Sequence, residues 1–127
     1  MLSDKVSSAN FRKIAVIIND KMMEVKETID SDFQEAISSS EKTIIKYYAD
    51  WCGSCKLFSP KYKRLADDER FSGINFLKVN AENNQEARKA AGVTNLPFFA
   101  IFESGKLMET LASSKEEAVV ELLNKLN

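Results

Sequence analysis

Two cysteines stand at a spacing suited to reversible disulfide chemistry. Cys52 and Cys55 are the only cysteines among 127 residues, and Gly53 and Ser54 separate them. Side chains three positions apart at the start of a helix lie on the same side of its first turn, close enough to form a small disulfide ring. The pair is therefore predicted to alternate between a dithiol and a disulfide.

The two thiols are expected to differ in reactivity. Cys52 is the more N-terminal, so the free backbone N–H groups and the positive dipole end of the following helix favour its thiolate, which is the nucleophilic form. Lys56 adds a nearby positive charge. Cys55 lies one turn further along, where we expect it to be more buried and to stay protonated at higher pH. This suits Cys55 to the resolving step, the attack that releases a substrate bound to Cys52.

The composition excludes several other kinds of active site. The chain has no histidine, which removes Ser-His-Asp and Cys-His catalysis. Two cysteines without histidine cannot complete a four-ligand zinc site in one chain, and we predict neither a metal nor a cofactor. A zinc site shared with a second chain and a pair of buried structural thiols are the alternatives to redox chemistry, although Trp51 and Gly53 favour an exposed turn.

Charge and hydropathy patterns favour neither nucleic-acid binding nor membrane insertion. The 18 basic and 19 acidic side chains give a net charge of -1 and form no basic stripe. The longest apolar run near the N-terminus, residues 14–18, is too short for a signal peptide or a membrane span. We therefore expect a cytoplasmic protein, and in that reducing compartment a lone cysteine pair is more often redox-active than structural.

A strand and a helix must position the cysteines. Residues 43–49 are rich in β-branched and aromatic side chains, which predicts a buried strand interrupted by a single lysine, Lys46. Apolar residues then recur at helical spacing from Cys52 to about Glu69, with Pro60 inside the segment. The cysteines are thus predicted to lie where a buried strand leads into a helix.

The other segments alternate between strand and helix patterns. From residue 23 the order is strand, helix, strand, helix, strand, helix, strand, strand, helix, which predicts an α/β fold with one mixed sheet between helices on both faces. Residues 1–22 stand outside this order as an N-terminal extension that we predict to be helical, with a strand as the alternative. The further strands are predicted at 23–29, 74–79, 98–102 and 107–111. One further helix is predicted after a cap at Asp30 or Ser31, and a second after a cap at Asn83 or Asn84, with its end at Gly92. The last helix is predicted to begin at the capping boxes of Ser113 and Ser114.

The cysteine segment resembles the active-site segment of the thioredoxin family. Residues 49–56 read A-D-W-C-G-S-C-K, and Pro60 follows the second cysteine by five positions. Residues 78–80 (K-V-N), 92–97 (G-V-T-N-L-P) and 102–105 (F-E-S-G) are similar to the third strand, the cis-proline loop and the hairpin of that family, in the same order. The resemblance covers residues 23–127 and implies a thioredoxin-like fold for that domain.

The resemblance also implies an activity and partners. A family member would reduce protein disulfides through Cys52 and Cys55, and a thioredoxin-reductase-like donor would restore its dithiol. The alternatives are an oxidant or isomerase of protein disulfides, and a non-catalytic binding module that senses redox state. A monomer is expected, with a dimer through residues 1–22 as the alternative.

A substrate groove beside the cysteines follows from the same resemblance. Pro97 is expected to form a cis peptide bond, and Leu96 to offer its backbone N–H and C=O to an extended substrate segment. Trp51 and Gly53 would line the groove. Phe98 takes the place of a small polar residue of the family and would make the groove more apolar.

Two departures from the family pattern bear on the redox chemistry. Ser54 replaces a proline, which restores a backbone N–H near the sulfurs and predicts a less reducing potential. Lys46 replaces a buried aspartate that helps to deprotonate the resolving thiol, whereas Lys78 matches a lysine of the family. Without histidine, the proton of Cys55 must go to water, to Asp50 or to Lys46, unless Lys46 instead extends outward to solvent.

Overall fold

The computed structural model describes residues 24–127, which form a five-stranded mixed sheet between two layers of helices. The predicted N-terminal helix and the alternative dimer contact of residues 1–22 lie outside the described residues. The first strand is shorter than predicted, and the helix that follows the cysteines ends two residues early. The strands are Lys26–Glu27 (β1), Lys42–Tyr48 (β2), Asn75–Asn80 (β3), Phe98–Glu103 (β4) and Lys106–Ala112 (β5); the helices are Asp30–Ser38 (α1), Gly53–Asp67 (α2), Gln85–Ala91 (α3) and Glu116–Asn124 (α4), with a 3-10 turn at Glu69–Phe71.

The sheet has a parallel half and an antiparallel half, as predicted. Its strand order is β1-β3-β2-β4-β5, with β1 and β2 parallel to β3. Strand β4 runs antiparallel to β2, and β5 runs antiparallel to β4. The strand before the cysteines, β2, is therefore central and is paired on both sides, which fixes the point where the chain leaves the sheet.

Alternation along β2 divides the core between the two faces of the sheet. Ile44 packs in one cluster with the buried side chains of α2 and α4. Ile45 packs on the opposite face, with the buried side chains of α1 and α3. Successive strand side chains point to opposite faces, so a β2 residue of even number faces the cysteine-bearing helix α2.

A buried tyrosine fastens α2 to the sheet. The hydroxyl of Tyr62 lies 2.8 Å from the carbonyl oxygen of Leu77 and 3.1 Å from that of Ile44. Burial raises the pKa of this hydroxyl, so it stays protonated and can donate to these oxygens. Because the contact joins α2 to both β2 and β3, it holds the cysteine-bearing helix in one position over the sheet.

The cap predicted for α1 is wrong, because Asp30 caps a different helix. Helix α1 begins at Asp30, after Ile29, which makes no side-chain capping contact. The Asp30 carboxylate accepts hydrogen bonds from the backbone N–H groups of Glu86 (3.2 Å) and Ala87 (2.9 Å), at the start of α3. Asn84 precedes α3, and its side-chain oxygen accepts from the Asp30 backbone N–H (2.8 Å). These reciprocal contacts tie the starts of two helices together.

The capping boxes predicted before α4 are also absent from this part of the chain. The helix begins after Lys115, whose side chain makes no capping contact, and the Ser113 hydroxyl accepts from the Lys115 backbone N–H instead (3.1 Å).

The predicted stop of α3 is confirmed, because Gly92 ends that helix with a left-handed backbone of φ 65°. Residues that carry a Cβ rarely adopt that conformation.

Asp30→Ala is expected to lower the free energy of unfolding by about 1–2 kcal/mol, because two backbone N–H groups of α3 lose their acceptor. Urea unfolding measures the change. Asp32→Ala is the matched control, since Asp32 is an exposed carboxylate in the same turn of α1, and it should cost less than about 0.5 kcal/mol. Equal losses in the two variants would contradict the capping contact.

Candidate active site

The cysteine pair lies at the junction of β2 and α2. Cys52 directly precedes the helix, and its Cα lies 5.2 Å from that of Cys55, to which it is joined by a disulfide bond. The sulfur of Cys52 accepts a hydrogen bond from the backbone N–H of Cys55 (3.1 Å), and the Ser54 hydroxyl lies 3.6 Å from the same sulfur. A helix start with two such donors stabilises a thiolate on Cys52.

Cys52 is more enclosed than predicted, whereas Cys55 is buried as expected. Cys52 is 4% exposed and Cys55 is 2% exposed, so the expected contrast in burial between them is small. They pack with Ala49, against which the partly buried Tyr48 and Leu96 also lie; we call these five residues the cysteine cluster. Gly53 and Ser54, between the cysteines, are exposed, as is Trp51 before them, so a substrate would meet the pair at this turn.

Open space lies above the first residue of the helix. Gly53 is exposed, and a Cβ added to it would meet no atom within 4 Å. Its lack of a side chain therefore serves no internal packing. It leaves the backbone beside Cys52 open to close approach by another chain.

Trp51 is exposed but held in place. Its side chain is 68% exposed, and the indole Nε1–H donates to Oε2 of Glu82 at 2.6 Å. The side chain of Asn80 in turn accepts from the Glu82 backbone N–H (3.0 Å). Sequence reasoning missed Glu82, because no motif or spacing links it to a tryptophan 31 positions away.

The predicted cis peptide bond between Leu96 and Pro97 is confirmed. Leu96 is partly buried, and it packs against the cysteines and Ala49. The expectation for Phe98 is wrong. Its ring is 5% exposed and packs edge-on against Tyr47, with 6.3 Å between ring centroids, so it belongs to the core and lines no groove.

Lys46 points into the protein and not to solvent. Its side chain is 3% exposed, and Nζ donates to the hydroxyl of Ser59 at 2.9 Å. That hydroxyl donates to the backbone carbonyl oxygen of Cys55 at 3.3 Å. Sequence reasoning missed Ser59, although its position four residues after Cys55 places both on one side of α2. The outward-facing alternative for Lys46 is thus excluded.

Burial and a neighbouring lysine alter the Lys46 amine. Desolvation, with a smaller effect from the charge of Lys78, lowers the pKa of Lys46 from 10.5 to about 8. Lys78 lies beside Lys46 in the register of β2 and β3, and its Nζ is 3.8 Å from a carboxylate oxygen of Glu27. The other oxygen of Glu27 accepts from the Tyr48 hydroxyl at 2.6 Å. The Glu27 carboxylate is therefore already paired with Lys78 and Tyr48.

The remaining predicted side chains lie at the surface. Asp50 and Lys56 are both exposed, and their predicted effects on the cysteines stay predictions. Among residues 24–127 no three His, Cys, Asp or Glu side chains gather as metal ligands. No helix of that same range is long and apolar enough to cross a bilayer.

Comparisons with known proteins agree on one family. The family model described as Thioredoxin matches residues 24–125, a range that includes all of the strands and helices above. The thioredoxin of Mycoplasma genitalium is 38% identical over 72 residues, covering 57% of this chain and 69% of that protein. Thioredoxin 1 of Plasmodium falciparum is 28% identical over 98 residues, covering 77% and 92%. A solved structure of Plasmodium falciparum thioredoxin has a TM-score of 0.73 at 27% identity, covering 80% and 98%.

Proposed function

This chain belongs to the thioredoxin family and is a thiol-disulfide oxidoreductase, and we propose that in its working direction it reduces the disulfides of other proteins. The observation that carries the proposal is the Cys52 sulfur at the start of α2, where the Cys55 N–H donates to it. A nucleophilic thiolate is the form that attacks a disulfide.

The proposed cycle has two exchange steps. The Cys52 thiolate attacks one sulfur of a substrate disulfide, forming a mixed disulfide, and the second substrate sulfur leaves as a thiolate. The Cys55 thiolate then attacks the Cys52 sulfur, which releases the first substrate sulfur and forms the Cys52–Cys55 disulfide. Two electrons pass from the pair to the substrate, and a thioredoxin-reductase-like donor returns two electrons to the pair.

We propose that substrates bind as extended segments across the turn that carries the cysteines. The open space above Gly53 and the position of Leu96 against the cysteine cluster support this arrangement. A segment lying there would pair with the Leu96 backbone in the manner of an added strand and would contact the exposed ring of Trp51.

The expected surroundings of the protein follow from the same chemistry. A dithiol that donates electrons is used in a reducing compartment, and we propose the cytoplasm. We propose that it acts without nucleic acid or membrane, because its net charge is near zero, and that it acts as a monomer. A dimer through residues 1–22 stays an alternative that sedimentation of the full chain would test.

Insulin reduction tests the proposed activity. With dithiothreitol as electron source, the full chain should shorten the lag before reduced insulin chains precipitate. A variant with both Cys52→Ser and Cys55→Ser is the control and should leave the uncatalysed rate unchanged. If the native chain is no faster than this control, the reductase proposal fails.

Ser54→Pro is expected to make the reduction potential more negative by about 30 mV, because the hydroxyl near the Cys52 sulfur no longer favours the thiolate of the reduced pair. Equilibration with glutathione buffers measures the potential. Ser54→Ala is the matched control, because it removes the hydroxyl without adding a ring, and it should shift the potential in the same direction. Unchanged potentials in both variants would contradict this role of Ser54.

A further inference from the structure

A buried amine lies beside the cysteine-bearing helix without a carboxylate partner. Lys46 is 3% exposed in the central strand, on the same face as Ile44. Within residues 24–127, no carboxylate oxygen lies within 4.0 Å of its Nζ. A buried ammonium without an opposite charge lowers stability. Residues that break such a rule of protein stability are expected mainly at functional sites.

The contacts of this amine link it through Ser59 to the backbone of Cys55. Its hydrogen bond to Ser59 reaches a hydroxyl one helical turn from Cys55, and that hydroxyl donates to the Cys55 carbonyl. Lys46 Nζ is also 5.9 Å from the ring centroid of Tyr48, a member of the cysteine cluster. Ser59 itself is an exposed residue.

The charged and titratable groups around the amine come from every neighbouring element. Burial raises the pKa values of both Tyr48 and Tyr62, so these two side chains stay neutral. Since the pKa of Lys46 is about 8, its amine is mostly charged near neutral pH and changes charge just above it. The facing groups are Glu27 of β1, Tyr48 of β2, Lys78 of β3 and Tyr62 of α2, and Ser59 links the amine to the Cys55 backbone; from β4, Phe99 faces it in register and carries no charge.

We propose that Lys46, anchored by Ser59, is a positioning residue that holds a positive charge beside Cys55 while its thiol ionises for the resolving step. The inference rests on the proposed roles of the two cysteines. The Cys55 thiol gives its proton to water or, in molecules whose Lys46 amine is neutral, to that amine. The thiolate attacks the Cys52 sulfur, the new disulfide forms, the mixed disulfide breaks, and its leaving sulfur takes the electron pair.

A lysine and a carboxylate at this place have opposite effects on the thiolate. A carboxylate repels the thiolate and can help only by removing its proton, whereas an ammonium attracts the thiolate. The benefit of Lys46 is therefore present below about pH 8, where the amine is charged, and is lost as the pH rises through that value.

The two exchange steps can be timed separately with Ellman's reagent. Mixing the reduced full chain with an equimolar amount of the reagent releases a first coloured thiolate when Cys52 attacks and a second when Cys55 resolves. For Lys46→Met, we expect the second phase to slow about tenfold near neutral pH, and its pH profile to move upward by about one unit. The first phase should change less than about twofold.

Matched variants separate this effect from general damage. Lys42→Met makes the same substitution on the same face of β2, at its far end, and should leave both phases unchanged. Ser59→Ala removes only the anchor and should slow the second phase severalfold. Lys46→Met should also unfold at a higher urea concentration than the native chain, because it removes a buried charge, whereas a merely structural lysine would leave a weaker protein.

Distinct outcomes would overturn the inference and the proposed function. An unchanged second phase and pH profile in both Lys46→Met and Ser59→Ala would refute the inference while the two-step chemistry stands. If Lys46→Met unfolds at a lower urea concentration and slows both phases equally, Lys46 is structural and the inference also fails. Absence of a rapid first phase in the native chain would instead overturn the assignment of Cys52 as nucleophile.

Discussion

Replacement of Cys52 by serine is expected to slow protein-disulfide reduction by at least about a thousandfold, because a serine hydroxyl is not ionised near neutral pH and does not attack disulfides. The Cys52 sulfur is the one that accepts the Cys55 backbone N–H at the start of α2. We therefore do not expect Cys55 to take over the attack on the substrate disulfide. Insulin reduction under turnover measures the loss.

Cys55→Ser is the matched control for this variant. It should also fail under turnover, but its Cys52 should still react with one equivalent of Ellman's reagent at the native rate. Cys52→Ser should lack this rapid reaction. A Cys52→Ser protein that keeps the rapid phase, with Cys55→Ser losing it, would show that the two roles are reversed.

The largest effect on stability is expected for Phe99→Ala, at about 3–5 kcal/mol of unfolding free energy. Phe99 is fully buried on β4, with its ring centroid 5.2 Å from that of Phe58 and 5.8 Å from that of Tyr62. The truncation leaves a cavity between α2 and the sheet that rigid strand neighbours cannot fill. Since small domains are stable by only about 5–15 kcal/mol, the loss is a large part of the total.

Urea unfolding followed by tryptophan fluorescence and by circular dichroism tests this value. Leu107→Ala is the control, because Leu107 is 41% exposed on β5 and its loss should cost less than about 0.5 kcal/mol. A loss below about 1 kcal/mol for Phe99→Ala would mean that the core closes over the missing ring, contrary to its packing here.

Features encoded by short-range patterns were predictable from the sequence. The β-branched and aromatic residues of β2 and the helical spacing after Cys52 placed the cysteine pair at a strand-to-helix junction, which the structure confirms. Gly92 was predicted as the stop of α3, since a left-handed helix end favours glycine. The cis bond before Pro97 came only from the family resemblance, because composition gives no sign of it.

Features that depend on distant parts of the chain were not predictable. Asp30 was predicted to cap its own helix. Its carboxylate instead accepts a hydrogen bond from the backbone N–H of Ala87, which lies 57 positions later in the chain. The orientation of Lys46 depended on which face of β2 meets α2, and its hydrogen-bond partner depended on the packing of that helix. Phe98 was misplaced for the same reason, since the side of β4 that it occupies is set by the sheet register.

The central claim is that Cys52 attacks the substrate and Cys55 releases it. The most direct measurement incubates reduced Cys55→Ser and Cys52→Ser proteins with a disulfide-containing protein and maps the mixed disulfides by mass spectrometry. We expect a stable mixed disulfide through Cys52 in the Cys55→Ser protein and almost none in the Cys52→Ser protein. Accumulation of the mixed disulfide through Cys55 in the Cys52→Ser protein, at an equal or higher yield, would contradict the claim.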